Sequence, residues 1–263
     1  YSFAMNIASM KIEKPNSYSR EKVATMFDPW TEDDSTGIPQ KNFSPDVIIV
    51  LSESFWDITK ISTLKIPHDP IKHFRKISSK YPSVRLLSPS FGGNTCNVEF
   101  EILTGMSHGF FPAGMTAYNQ SITHPVPSLV RVFKENGYRT TGIHTFNQWF
   151  WNRTNVYRHL GFDRFISQES MDKPKYKGFY ISDEELAQQI ISTASKNDQP
   201  DFIFAISMQN HGPYDRKRYD TLDCPVSSGL SAVADLELNS YIQGTIDADK
   251  SLKMLTHYID TTR

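Results

Sequence analysis

Two five-residue stretches, "VIIVL" (47–51) and "FIFAI" (202–206), are apolar at every position. That is the pattern of strands buried on both faces of a parallel sheet. "DVIIVLSES" (46–54) and "PDFIFAISM" (200–208) are therefore read as central strands, and "RTTGIHTF" (139–146) as a third. Helical spacing lies between and beyond these runs: a segment near 70–80, "CNVEFEILTGM" (96–106), "WNRTNVYRHLGF" (151–162) and a long stretch over 230–260. "VPSLVRVFKENGY" (126–138) places Leu129, Val130 and Phe133 on one face, with Gly137 as its stop. In "SDEELAQQIISTASKN" (182–197), Ser182 and Glu185 have capping-box spacing. "SVRLLSPS" (83–90) predicts a short extended piece. Strands alternating with helices predict an α/β domain over 46–263, a mostly parallel central sheet with helices on both faces.

Residues 1–45 differ in character from the remainder of the chain. They are polar and irregular, with one helical candidate at 19–27 and a turn-rich acidic stretch at 28–45 that reads as an arm or linker. Charge adds little: 28 basic and 29 acidic residues give a net charge of −1, which supplies no reason to expect a nucleic-acid partner. No apolar run approaches the roughly 18 residues of a membrane span. Two cysteines, Cys96 and Cys224, cannot form a disulfide framework and are expected as isolated thiols.

In a parallel sheet the active site lies beyond the carboxyl ends of the strands. That rule singles out Glu53, Thr95, His144 and His211, each late in a strand candidate or shortly after one. Glu53 is placed to bind a hard metal ion, or is simply a solvated strand end; Asp57 is a weaker candidate of the same kind. Gly92 and Gly93 let the backbone of "GGNT" approach an anion at a helix N-terminus. Thr95 is then either a nucleophile activated by a base or metal, or, like Asn94, a plain N-cap. Cys96 lacks the Pro or Ala at +2 and the Arg at +4 that conversion to a formylglycine nucleophile requires; Val98 and Phe100 stand there. "GIHTFNQWFWNRTNVY" (142–157) gathers His144, Trp149, Trp151, Asn152 and Arg153, where an Arg can grip a phosphate and a Trp can wall a small polyol. His211, followed by Gly212 and Pro213, is a candidate phosphate donor or proton carrier, or an exposed loop histidine.

Together these pieces resemble the extracellular catalytic domain of the lipoteichoic acid synthase family, phosphoglycerol transferases within the alkaline phosphatase and sulfatase superfamily. "VIIVLSESFWD", "GGNTCNVEFEILTG", "IHTFNQWFWNR" and "SMQNHGPY" carry the resemblance, which runs from about Pro45 to His257. It implies Glu53 and Thr95 as ligands of a Mn²⁺ or Mg²⁺ ion and Thr95 as the attacking group. It implies His144, Trp151, Arg153 and His211 as substrate contacts. Phosphatidylglycerol and a glycerol-phosphate polymer are the implied substrates, with the domain on the extracellular face of a cell membrane behind upstream membrane helices. Two departures stand out. Phe146 occupies a position two after His144 where the family often has an acidic residue, and no Asp-His dipeptide, the family's remaining metal ligands, occurs in the 263 residues. The chain is therefore expected to be a piece of a longer protein.

Overall fold

The computed structural model describes residues 16–27, 44–112, 114–195 and 199–262. Most of the proposed arm, 1–15 and 28–43, lies outside the described residues; within 16–27 the expected helix is present as α1 (Arg20–Phe27).

Four strands form the central sheet: β1 (Val47–Leu51), β2 (Arg139–His144), β3 (Arg164–Ser167) and β6 (Asp201–Ile206). Their order is β1-β6-β2-β3 and every pairing is parallel. Leu51 and His144 both pair with Ile206, and His144 also pairs with Ser167. All four strands therefore end at one level, and the loops leaving them share one edge of the sheet. A two-stranded hairpin, β4 (Tyr176–Lys177) with β5 (Tyr180–Ile181), stands apart from the sheet.

Side chains alternate across a strand, and the fully apolar runs exploit this. Phe202, Phe204 and Ile206, with Val47, Ile49 and Leu51, face a core shared with α3 (Thr95–Thr104), α5 (Leu129–Glu135) and α6 (Arg153–Leu160). Ile203, Ala205, Ile143 and Ile48 face the opposite core, against α7 (Asp183–Ala194) and α8 (Ala232–Thr261). Strands apolar on both faces thus carry helices on both faces. Helix α2 (Lys72–Lys80) packs on α8, where the Asp249 carboxylate accepts from the His73 and Phe74 amides at 3.0 and 2.8 Å, and α4 (Ala117–Gln120) is a single turn beside α3.

Residues 83–90, expected as a short extended piece, join no sheet among the described residues, and Val84, Leu86 and Leu87 are exposed. Three expectations need correction. The strand expected to be central at 46–54 is β1, at the edge of the described sheet, where one flank has no neighbouring strand and Val50 is exposed. The capping box at 182–185 is only half formed. Ser182 Oγ accepts from the Glu185 amide at 3.1 Å, while the Glu185 carboxylate accepts from Gln189 Nε2 at 3.1 Å. Asp57 is no metal candidate: its carboxylate accepts from Arg75 at 2.9 and 3.0 Å and from Thr59, which fixes a short turn.

Candidate active site

The turn before α3 fixes where the Thr95 hydroxyl sits. Gly92 and Gly93 have φ of +70° and +144°, so the chain reaches the helix through conformations that side chains disfavour. Asn94 sits at the N-cap with φ +57° and ψ +43° and makes no side-chain capping bond. Thr95 does not cap either: its Oγ1 donates to Glu53 Oε1 at 2.7 Å. The hydroxyl is therefore held at a helix N-terminus, where the backbone offers free N–H groups and a partial positive charge. Glu53 is fixed from behind, its amide donating to Ser207 Oγ at 2.8 Å.

Glu53 and Thr95 share a cavity of about 320 Å³ with Gly92, Gly93, Asn94, His144, Phe150, Trp151, Arg153, Met208 and His211. The six residues to which the resemblance assigns roles, on five separate segments, are thus gathered in one place. Their backbone is constrained: Ser54, Asn94, Trp151 and Asn152 all have φ between +55° and +57°. Left-handed conformations at non-glycine residues cost energy and cluster where surrounding structure enforces a geometry.

The electrostatics divide the cavity. Burial raises the Glu53 carboxyl above its usual range, against the Thr95 hydrogen bond and the nearby His211 ring. His211 is the accessible imidazole, with Nε2 4.0 Å from Glu53 Oε1 and Nδ1 2.7 Å from Gly212 O. His144 is buried and, through burial and then the Arg153 charge, is held well below the ordinary histidine range. Its Nδ1 lies 3.4 Å from Ile206 O, which suits an Nδ1–H donor, and its Nε2 has no protein partner. A neutral ring in that tautomer presents Nε2 as an acceptor.

Arg153 is 1% exposed and is held chiefly by the protein. Nε and Nη2 donate to the Glu99 carboxylate at 3.2 and 2.6 Å, and Nη1 donates to Phe150 O at 3.1 Å. Burial opposes its charge, but Glu99 outweighs this and raises its pKa. At least three of its five N–H bonds are committed to the protein. Glu99, fully buried, also accepts from Tyr118 and Tyr157 hydroxyls at 3.1 and 3.0 Å. Sequence reasoning missed this pair, although Glu99 stands four residues after Thr95, one helical turn on.

Arg218 was missed as well. It is buried and donates to the carbonyls of Gln209 (3.3 Å), His211 and Pro213, spanning the loop that carries His211, with Tyr214 stacked at 4.8 Å. Cys96 is fully buried, and burial, then Glu99, pushes its thiol up to about 12, so it is no nucleophile.

For a metal, Glu53 Oε1 and Thr95 Oγ1 are oxygen donors on one point, the kind a hard divalent cation prefers. A buried carboxylate with a raised pKa also gains from a cation beside it. Among the described residues, however, no group of three His, Cys, Asp or Glu converges to hold one. The pair therefore fits such an ion as part of its shell.

A parallel sheet covered on both faces, with a hydroxyl and a carboxylate beyond its carboxyl edge, is an α/β fold, and it superimposes on a solved protein described as in the alkaline phosphatase superfamily, from Vibrio parahaemolyticus, with a TM-score of 0.63 at 17% identity, covering 82% of this chain and 50% of that one. The sulfatase family model matches residues 45–263, and the chain belongs to that family. A putative cyclic β-1,2-glucan modification protein of Rhizobium meliloti is 44% identical over 211 residues, 80% of this chain and 32% of that protein. The chain spans about 32% to 41% of the first curated relatives it matches. The Streptococcus pyogenes phosphoglycerol transferase GacH, solved with sn-glycerol-1-phosphate, superimposes with a TM-score of 0.80 at 23% identity, covering 94% of this chain and 66% of GacH. The Listeria monocytogenes lipoteichoic acid synthase LtaP gives 0.66 at 25% identity, covering 82% and 52%.

Proposed function

We propose that the domain is a phosphoglycerol transferase acting through a covalent threonine. Thr95 Oγ1 attacks the phosphorus of phosphatidylglycerol; the Thr95 O–P bond forms, the bond to the diacylglycerol oxygen breaks, and diacylglycerol leaves with a proton. An acceptor hydroxyl then attacks glycerophosphoryl-Thr95 and returns the threonine hydroxyl. The observation that carries this reading is the Thr95–Glu53 contact of 2.7 Å at the helix N-terminus, inside a cavity that holds the other candidate residues. Phosphate oxygens there meet helix N–H groups and the Arg153 guanidinium, donors of a type often worth about 3 kcal/mol each to a transition state. His144 Nε2 accepts from a glycerol hydroxyl, and Trp151 walls the glycerol. His211, the accessible base, carries the proton between leaving and attacking oxygens. A divalent Mn²⁺ or Mg²⁺ ion held by Glu53 and Thr95 would supply Lewis acidity that favours the Thr95 alkoxide.

Two acceptors fit this chemistry, the terminal glycerol of a glycerol-phosphate polymer and a sugar hydroxyl of a glucan. The 44% identity to a protein named for glucan modification favours the glucan. A lipid donor places the site at an outer membrane face, although no described helix is long and apolar enough to cross a membrane. Incubating the full-length protein with vesicles of single phospholipids and measuring diacylglycerol release tests the donor. Release from phosphatidylglycerol is expected; release from phosphatidylethanolamine alone would make it a phosphoethanolamine transferase instead.

A further inference from the structure

Between the two site histidines runs an unbroken line of rings. His144 meets Phe146 at 6.2 Å, Phe146 meets Tyr180 at 5.9 Å, and Tyr180 meets His211 at 6.2 Å, all edge to face. Phe146 also meets Phe150 at 5.3 Å, and Phe150, in the cavity wall, meets Trp149 at 6.3 Å. Trp149 ends the line in solvent, 66% exposed, with its edge-to-face contact leaving ring surface open.

An exposed Trp on a loose loop would mean little, but this one is braced. Gln148 N donates to both Glu169 carboxylate oxygens at 3.1 and 3.2 Å, and Thr154 Oγ1 donates to Gln148 O at 3.0 Å. The Asn152 amide donates to Trp149 O at 2.9 Å. The consecutive left-handed residues Trp151 and Asn152 are held in place by these bonds. A large apolar surface carried into water on a braced backbone is the form of a binding platform. Exposed amide side chains stand beside Trp149 in the chain, Gln148, Asn152 and Asn155, and Asn155 Nδ2 donates to Asn152 Oδ1 at 2.8 Å. An apolar face accompanied by amides suits a ligand that is itself apolar on its faces and hydroxylated at its edge, which describes a pyranose ring; an acyl chain would find no use for the amides.

We propose that Trp149 is the stacking platform for a sugar ring of the acceptor, joined through Phe150 to the cavity that holds Thr95. This rests on the transferase reading with a glucan acceptor, and it assigns acceptor choice to residues outside the donor pocket. The test uses the full-length protein with phosphatidylglycerol vesicles, offering a β-linked glucose oligosaccharide and free glycerol as competing acceptors. In Trp149→Ala the ratio of transfer to oligosaccharide over transfer to glycerol should fall about tenfold, the size of one lost aromatic contact, and Trp149→Phe should restore most of it. An unchanged ratio overturns the platform. Calorimetric titration of the oligosaccharide separates this from failure of the transferase reading. If the wild type releases no diacylglycerol yet binds the sugar, with affinity about tenfold weaker in Trp149→Ala, the platform stands without the transferase; no binding by the wild type overturns it.

Discussion

Glu99→Gln isolates the ion pair beneath the cavity floor. The wild-type carboxylate is fully buried and accepts four hydrogen bonds, two from Arg153 and one each from Tyr118 and Tyr157. The amide keeps the shape but loses the charge, and its NH₂ must face either a guanidinium or a hydroxyl that already donates. Arg153, itself buried, becomes an uncompensated charge. Breaking a buried pair in this way costs about 3–5 kcal/mol. Such a loss lowers the melting temperature of a chain this size by about 6–20 °C, at ~2–4 °C per kcal/mol. Urea denaturation measures it directly, as a fall in the midpoint at constant slope. The double variant Glu99→Gln/Arg153→Met removes the stranded charge and should recover at least about 1 kcal/mol relative to the sum of the single changes. A Glu99→Gln midpoint equivalent to less than about 0.5 kcal/mol of destabilisation refutes the pairing as drawn.

Burial, and then the Asp247 carboxylate, raise Asp183 from 3.8 to about 7 against the Gln209 backbone and the Lys177 charge. The folded state therefore keeps a proton that the unfolded chain releases, and this group's contribution to stability falls as pH rises from about 4 to about 7. Asp183→Asn should be more stable than wild type by a few kcal/mol near pH 8 and by much less near pH 4; a pH-independent difference contradicts this. Arg218→Ala should lower kcat by up to about a hundredfold by releasing the His211 loop, with a smaller change in KM for the donor lipid and partial rescue by Arg218→Lys. Wild-type kcat in a folded Arg218→Ala protein would show that the clamp does not position His211. Cys96 and Cys224, both buried and free, should resist a neutral maleimide in the native protein and react fully in denaturant; rapid native labelling at Cys96 would contradict its burial.

The parallel sheet was legible because a strand buried on both faces leaves no polar position, as in "FIFAI", all of it buried; "VIIVL" has the same pattern at the sheet edge, where Val50 is exposed, so the pattern marked the strand but not its place. That the candidate residues gather in one cavity was legible through the same topology, since carboxyl ends of parallel strands must share an edge. What remained hidden is what local pattern does not encode. Thr95 reads equally as cap or nucleophile until its hydroxyl is seen to turn toward Glu53. Arg153 looks like a free phosphate grip, whereas its fork is mostly taken by Glu99, 54 residues earlier in the chain. Residues 83–90 carry strand-like apolar content, yet have no pairing partner among the described residues. Phe146, visible only as a departure from an acidic position, acquires meaning from three rings, two of its own stretch and Tyr180 from the hairpin.

Acid-quenched, full-length protein taken from a reaction with phosphatidylglycerol and digested for tandem mass spectrometry gives the sharpest answer on the covalent threonine. A glycerophosphoryl increment on the peptide containing Thr95, lost together with turnover in Thr95→Ala, is the predicted result. Turnover by Thr95→Ala at the wild-type rate, or an increment fixed on any other residue, would contradict it.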